Sequence, residues 1–382
     1  MNLTQSVSFF SQTFGHSVAG RWEHFCIHLH RKMDTAASGT CPEKKRKSFS
    51  PLAQRANFSS SESPDSRVSI EACNLQPASC FSHQSVLAKE VVDFLKPEPG
   101  KIFFDGTLGG GGHAELLLQA GASVVACDRD PAALTHSKKK LAAFGDRFTC
   151  FESNYAEAPA HLIKMGIFQV DGILLDLGVS SHQIDTPERG FSFQKEGPLD
   201  MRMGRSRQSA ADIVNTADLS TLVKIFREYG EEPRALTFAT RIIRERHHHP
   251  ITTTTQLASL LAQGTRPGPR HPATRVFQAL RIAVNEEINS LESALPQLAE
   301  MLTPSTGRFA VITFHSLEDR IVKHFFKKHA AAEIDNPTWS APKPNPEQLF
   351  KSSLPHSVVA DTAELTNNRR ARSARLRIAE KI

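Results

Sequence analysis

The sequence predicts an α/β fold: a doubly wound, Rossmann-like parallel sheet with an all-helical insertion. Three observations predict it. Short apolar runs alternate with helical periodicity from Lys101 to Asp176. A glycine-rich turn follows the first run and an acid closes the second, as in nucleotide-binding βαβ units. The alternation then lapses between about Pro198 and Leu302, before one further strand-like run at Gly307 to Phe314.

The elements follow in order. Lys101-Ile-Phe-Phe-Asp105 is short, apolar and closed by an acid, so it reads as a buried strand. Gly106 to Gly112 is the turn, and Ala114 to Ala120 the apolar start of a helix. Ser123 to Cys127 is a second strand ending at Asp128, and Asp130-Pro131 opens a helix, since proline suits a first-turn position. Phe148 to Phe151 and Asp171 to Asp176 are the third and fourth strands. Helices are expected at Leu219 to Tyr229, Pro233 to Arg246 and Thr254 to Ala262. A longer one is expected from Pro272, because Phe277, Leu280, Val284, Ile288 and Leu291 keep one stripe. Residues 335–366 are rich in Pro, Asn and Ser and read as a long loop. The chain then reaches a basic tail, with five arginines between Arg369 and Arg377.

These segments give a division into 81–195 and 304–382 as the two parts of a sheet domain, with 196–303 as a helical insertion. The first 80 residues differ, with 14 serines and little apolar periodicity. Residues 1–33 carry Arg21, Arg31 and Lys32 against one acid, Glu23, which suits an organellar transit segment or a plain disordered tail. Residues 34–80 are expected to be a disordered linker, with Lys44 to Lys47 a solvated run or a nuclear signal. No apolar run approaches the roughly 20 residues that span a bilayer. The six cysteines show no C-x-x-C pair, which argues for a reducing compartment and no structural zinc. A net charge of +6 permits a polyanionic partner without requiring one.

Chemistry concentrates at the strand ends. The turn has no G-K-[ST], which argues against a P-loop nucleotidase, while Gly109, Gly111 and Ala114 fit the looser dinucleotide pattern. Asp128, about 20 residues on, is placed to accept hydrogen bonds from ribose hydroxyls. Turn and acid together suit any adenosine-bearing cofactor, NAD or S-adenosylmethionine. Asp176 ends the fourth strand and would face the reactive end of that cofactor, unless it merely caps a helix. An acid there suits methyl transfer to an exocyclic amine, a poor nucleophile that must be held in line. His315, Glu318, Asp319 and Arg320 follow the last strand as an RNA or cofactor contact, or equally as a helix-capping cluster. His247 to His249 read as a surface turn, Cys127 and Cys150 as core, and Arg202 as a partner of phosphate or carboxylate.

Nine blocks of the chain resemble one family in the same order. They begin at His83-Gln-Ser-Val-Leu, Asp105-Gly-Thr-Leu-Gly-Gly-Gly-Gly-His113, Asp128-Arg-Asp-Pro131 and Asp171 to Ser181. They continue through Arg189 to Phe193, Gly197 to Met203, His271 to Arg275, Phe314 to Arg320 and Arg370 to Ser373. The chain resembles the RsmH (MraW) family of cytosine-N4 methyltransferases of small-subunit ribosomal RNA over about residues 82–380. With its N-terminal extension, it is most similar to the eukaryotic mitochondrial member. The resemblance implies S-adenosyl-L-methionine as cofactor, touched by Gly111, Gly112 and His113, with Asp128 on the ribose. Tyr155 would pack on the adenine, Asp176 and Gln183 would complete the pocket, and Asp176 would be the catalytic group. It also implies a cytidine of mitochondrial 12S ribosomal RNA, or the assembling small subunit, as partner, in the matrix and without a membrane. Arg275, Arg281, His315, Arg370 and Arg372 are the residues expected to grip that RNA. Departures are small: Ser85 stands where the family commonly has Pro, and Arg369 where Pro usually follows Asn368.

Overall fold

Alternating side chains on two apolar faces explain the central sheet. Phe104, Val125, Cys127, Ile173, Leu175, Phe309 and Val311 share one core. Their neighbours Phe103, Val124, Ala126, Leu174, Ala310 and Ile312 share another. Strands apolar on both sides must be covered on both sides, which is the condition of a parallel sheet sandwiched by helices. The computed structural model describes residues 85–382 apart from 207, 266–267, 336–337, 339 and 353–356. The expected transit segment and linker, Lys44 to Lys47 and His83 lie outside the described residues.

Five strands run parallel: β1 Ile102–Asp105, β2 Ser123–Asp128, β3 Phe148–Glu152, β4 Gly172–Asp176 and β5 Arg308–Thr313. A sixth, β6 Arg375–Glu380, lies antiparallel beside β5. The order is β3-β2-β1-β4-β5-β6. The chain therefore winds outward from β1 to β3 and returns to β4 on β1's other side. The carboxyl ends of β1 and β4 flank the point where winding reverses, the crevice in which such sheets bind ligands. Among the helices between strands, α1 Ala88–Leu95, α2 Gly112–Gln119 and α3 Pro131–Lys140 cover one face. On the other lies α4 Ala158–Lys164, and a short α5 Ser181–Asp185 follows β4.

Between β4 and β5 the chain forms α6 Ala210–Thr216, α7 Leu219–Glu228, α8 Ala235–Arg246, α9 Thr254–Ala262, α10 Thr274–Asn285 and α11 Glu287–Glu300. The expected long helix from Pro272 is two. Glu286 has a φ of 50°, in the left-handed region that ends a helix. The apolar stripe is split accordingly: Phe277, Leu280 and Val284 enter the insertion's own core with Phe226 and Phe238, whereas Leu291, Leu295 and Leu298 pack on the sheet. The insertion thus ends at Glu286 rather than at 303, because the second half of the stripe serves a different core.

The arginine-rich end is not a loose basic tail. Arg369–Ser373 form a short 3-10 turn, and β6 then completes the sheet with Leu376 and Ala379 buried. Arg377 is buried with them and donates to Asp319 at 2.8 and 2.9 Å from α12, Ser316–Ala330. Leu376 and Ile378 alternate with period 2 beneath the run's positive charge, and that alternation makes it a strand. The expected loop also holds a short helix, α13 Thr362–Asn367. No helix of the described residues is long and apolar enough to cross a membrane.

Candidate active site

The floor of the site is the turn after β1. Gly109 and Gly111 have φ of 50° and 71°, and a Cβ at Gly111 would stand 3.0 Å from the Ser137 hydroxyl. That hydroxyl donates to the Gly109 carbonyl at 2.8 Å, so α3 buttresses the turn from beneath. The Asp105 carboxyl accepts the Thr107 N–H at 3.0 Å, and the Thr107 hydroxyl accepts the Asp176 N–H at 2.6 Å, tying β1 to β4. Asp105 is 1% exposed, and burial pushes its carboxyl up to about 7.

Above the turn lies a cavity of about 510 Å³, lined among others by Gly112, His113, Asp128, Tyr155, Asp176 and Gln183. Asp128 ends β2 and fixes the turn: its two carboxylate oxygens accept the Gly109 and Asp130 N–H groups at 2.7 and 2.8 Å. Each oxygen keeps a lone pair for a ribose hydroxyl. Replacing Asp128 with Ala should remove charge-assisted bonds of roughly 1.5–3 kcal/mol, a cofactor affinity loss of about tenfold or more by calorimetry. An unchanged affinity would exclude the ribose role.

Asp176 ends β4. One carboxyl oxygen, Oδ1, is buried and has no hydrogen-bond partner among the described residues. The other lies 3.6 Å from His113 Nδ1. His113 Nε2 is 3.0 Å from the Val86 carbonyl, which can only accept, so Nε2 carries a proton, and Nδ1 faces Asp176. Burial, with the Asp105 and Glu318 carboxylates behind it, pushes Asp176 up to about 8. It caps no helix: the α5 cap is Ser180.

The polar atoms of Gln183 are engaged in structure. Its Oε1 accepts the Ser180 N–H at 3.0 Å, and its Nε2 donates to Asp130 at 2.9 Å. Arg189 donates to the same Asp130 oxygen at 2.7 Å and to the Arg202 carbonyl at 3.0 Å. Gln183 therefore shapes the wall, and the Asp130–Arg189 pair, which sequence reasoning missed, joins the cofactor turn to the entry of the insertion. The Asp130-Pro131 helix start and the Arg-Gly-Phe block were its visible signals. Tyr155 is 8% exposed and lines the cavity. Arg202 pairs with a carboxylate, Asp200, at 2.8 and 2.7 Å.

The expected RNA residues are dispersed. Arg281 lines the cavity itself, and its guanidinium donates twice to Glu287 at 2.8 Å each, so it is not displayed on an outer face. His315 caps α12, forming a capping box with Glu318, and its Nε2 stands 3.1 Å from that carboxyl. Glu287, His315 and Glu318 are close enough to share a cation, but the Arg281 guanidinium already supplies the positive charge that their carboxylates need. Sequence reasoning missed Glu287 because the long-helix reading hid it. Arg370 lines the cavity mouth, 3.4 Å from Asp185. Arg275 and Arg372 are exposed.

An acid at the end of β4 with one oxygen unbonded, beside a glycine turn and a ribose-type acid, suits methyl transfer. The fold and site are those of an adenosine-cofactor methyltransferase of the Rossmann class. Residues 80–382 match the MraW methylase family, and the chain belongs to it. The chain is similar to the ribosomal RNA small subunit methyltransferase H of Syntrophotalea carbinolica, 48% identical over 310 residues, 79% of this chain and 98% of that one. The protein of the same name from Trichlorobacter lovleyi is 47% identical over 311 residues, covering 79% and 99%. A solved rRNA methylase from Streptococcus thermophilus superposes loosely, with a TM-score of 0.36 and 10% identity over 79% of this chain and 99% of that one. The cofactor is S-adenosyl-L-methionine. The residues present fit it: the turn would hold its backbone side, Asp128 its ribose, Tyr155 its adenine, and the orphaned Asp176 oxygen lies where its reactive end would be.

Proposed function

We propose that this protein methylates N4 of a cytidine in mitochondrial small-subunit (12S) ribosomal RNA, in the matrix, and so supports assembly of that subunit. The relatives' names support ribosomal RNA of the small subunit as substrate. The composition of residues 1–33 supports the organelle. The observation that carries the chemistry is the buried, unpartnered Oδ1 of Asp176. When bound, the cofactor supplies a methyl group on a sulfonium, activated for attack. The cytosine amine has its lone pair delocalised into the ring. A carboxylate accepting one of its N–H groups raises its electron density and fixes its direction. Asp176 does this through Oδ1 and can take the proton the amine must shed, with His113 Nδ1 beside it. The base must leave its stack to reach so recessed a group.

Mapping N4-methylcytidine in mitochondrial ribosomal RNA, with and without the protein, tests the reading; an unchanged methylation map refutes it. Location has its own test. A chain starting near Pro77 should keep methyl transfer in vitro yet fail to enter mitochondria. Normal import of that truncation would remove the targeting role of the first residues.

A further inference from the structure

A second cleft, also of about 510 Å³, opens on the far side of Phe314 and Ser373, which line both cavities. Arg320, Lys323 and His324 of α12 line it together with Arg375 and Arg377 of β6. The one carboxylate among its described lining residues, Asp319, is engaged by Arg377 at 2.8 and 2.9 Å. Arg320 is held at 2.6 Å by Glu231, which reaches over from the insertion and also accepts the Ser316 hydroxyl at 2.6 Å. Lys323 and Arg375 are exposed, and among the described residues neither has an ion-pair partner. Two unpaired cations in a concave site, with the local acid already neutralised, favour a compact anion. Guanidinium and ammonium groups are suited to phosphate oxygens.

We propose that this cleft binds a backbone phosphate of the RNA beside the target nucleotide, with Lys323 and Arg375 on the phosphate and the base turned past Phe314 into the reaction cavity. The inference rests on the RNA-methyltransferase reading and gives it a place of grip. The cleft shares a wall with the site of chemistry, so a nucleotide seated in one presents its neighbouring phosphate to the other. Of the arginines near the chain's end, this assigns the grip to Arg375, whereas Arg377 is structural and Arg370 belongs to the cofactor side.

The test is binding of a single-stranded ribosomal RNA fragment to the full chain, over a salt series, for wild type and for the Lys323→Glu/Arg375→Glu double variant. The double variant should bind at least tenfold more weakly at low salt. Its salt slope should become shallower by roughly 0.7 for each phosphate that is no longer neutralised. Melting temperature and S-adenosylmethionine affinity should stay at wild-type values, since both side chains are exposed. A fragment with neutral methylphosphonates flanking the target cytidine should weaken wild type and leave the double variant unaffected. Lys89→Glu/Lys164→Glu makes the same charge change at exposed residues outside both cavities and should bind RNA as wild type does. If wild type binds no RNA, the underlying reading fails. If wild type binds but the double variant keeps its affinity and slope, the cleft assignment alone is overturned. Equal weakening by Lys89→Glu/Lys164→Glu would mean a diffuse field and would also overturn it.

Discussion

Replacing Asp176 with Asn should lower methyl transfer by about two to three orders of magnitude, the usual loss when one preorganised electrostatic group is removed from a reaction centre. Asn keeps the shape of the side chain and an oxygen, but neither the charge nor the ability to take a proton. The pH dependence gives the sharper readout. Burial holds Asp176 up at about 8, so the free protein carries a protonated carboxyl below that pH and a working carboxylate above it. The value of kcat/KM should therefore rise with pH through about 8, and that limb should vanish in Asp176→Asn. The limb in kcat should lie lower, because a bound sulfonium favours the carboxylate. Stability should move the other way. A carboxyl raised above its unfolded value favours folding at low pH, and that contribution is lost as pH climbs through the folded value. As pH rises from about 4 to about 8, Asp176→Asn should therefore lose less stability than wild type in thermal melts. A variant that keeps full activity with the same pH limb would place the catalytic acceptor elsewhere.

Arg377→Ala should be among the most damaging changes to the fold, at about 2–4 kcal/mol, even though the residue sits in a run that reads as a solvated tail. Its guanidinium is buried and makes two bonds to Asp319. Burial pushes the Asp319 carboxyl up, but Arg377 outweighs it and holds the group below the usual carboxylate range. Removing Arg377 leaves that carboxylate half-buried and unpaired beside the sheet. The stabilisation is present at neutral pH and lost as pH falls through the depressed Asp319 value. The variant should therefore melt several degrees lower at pH 7, with the gap closing in acid. Adding Asp319→Ala should recover part of the loss, since no charge then stands alone. A single variant melting within a degree of wild type would show the pair to be idle.

The sheet and the cofactor turn were legible because their rules are local. A short apolar run, glycines without a Cβ, and an acid at a strand end need no knowledge of distant residues. Asp128 and Asp176 could be placed for the same reason. What sequence could not show depended on which core a residue joins. Val284 and Leu291 lie on one helical stripe, yet they face different cores, and Glu286 breaks the helix between them. Leu376 and Ile378 alternate as in a strand, but the arginines between and beside them give the run the composition of a solvated tail. Gln183 lines the cavity, but its partner Asp130 is 53 positions away in the chain, so its hydrogen bonds could not be inferred. The pairing of Arg281 with Glu287 was hidden by the long-helix reading.

The antiparallel strand beside β5 also sets an order in time. On a ribosome the chain emerges from its amino end, and β1 to β5 can pair as soon as residue 313 is free of the exit tunnel. Until Arg375 to Glu380 follow, β5 presents a bare edge of unpaired amides and carbonyls, apolar on both flanks. Any stall in translation within those last residues leaves a nascent protein with its catalytic crevice formed and one side of its sheet open to another strand. Such truncated chains should be captured by chaperones or aggregate rather than accumulate as soluble enzyme.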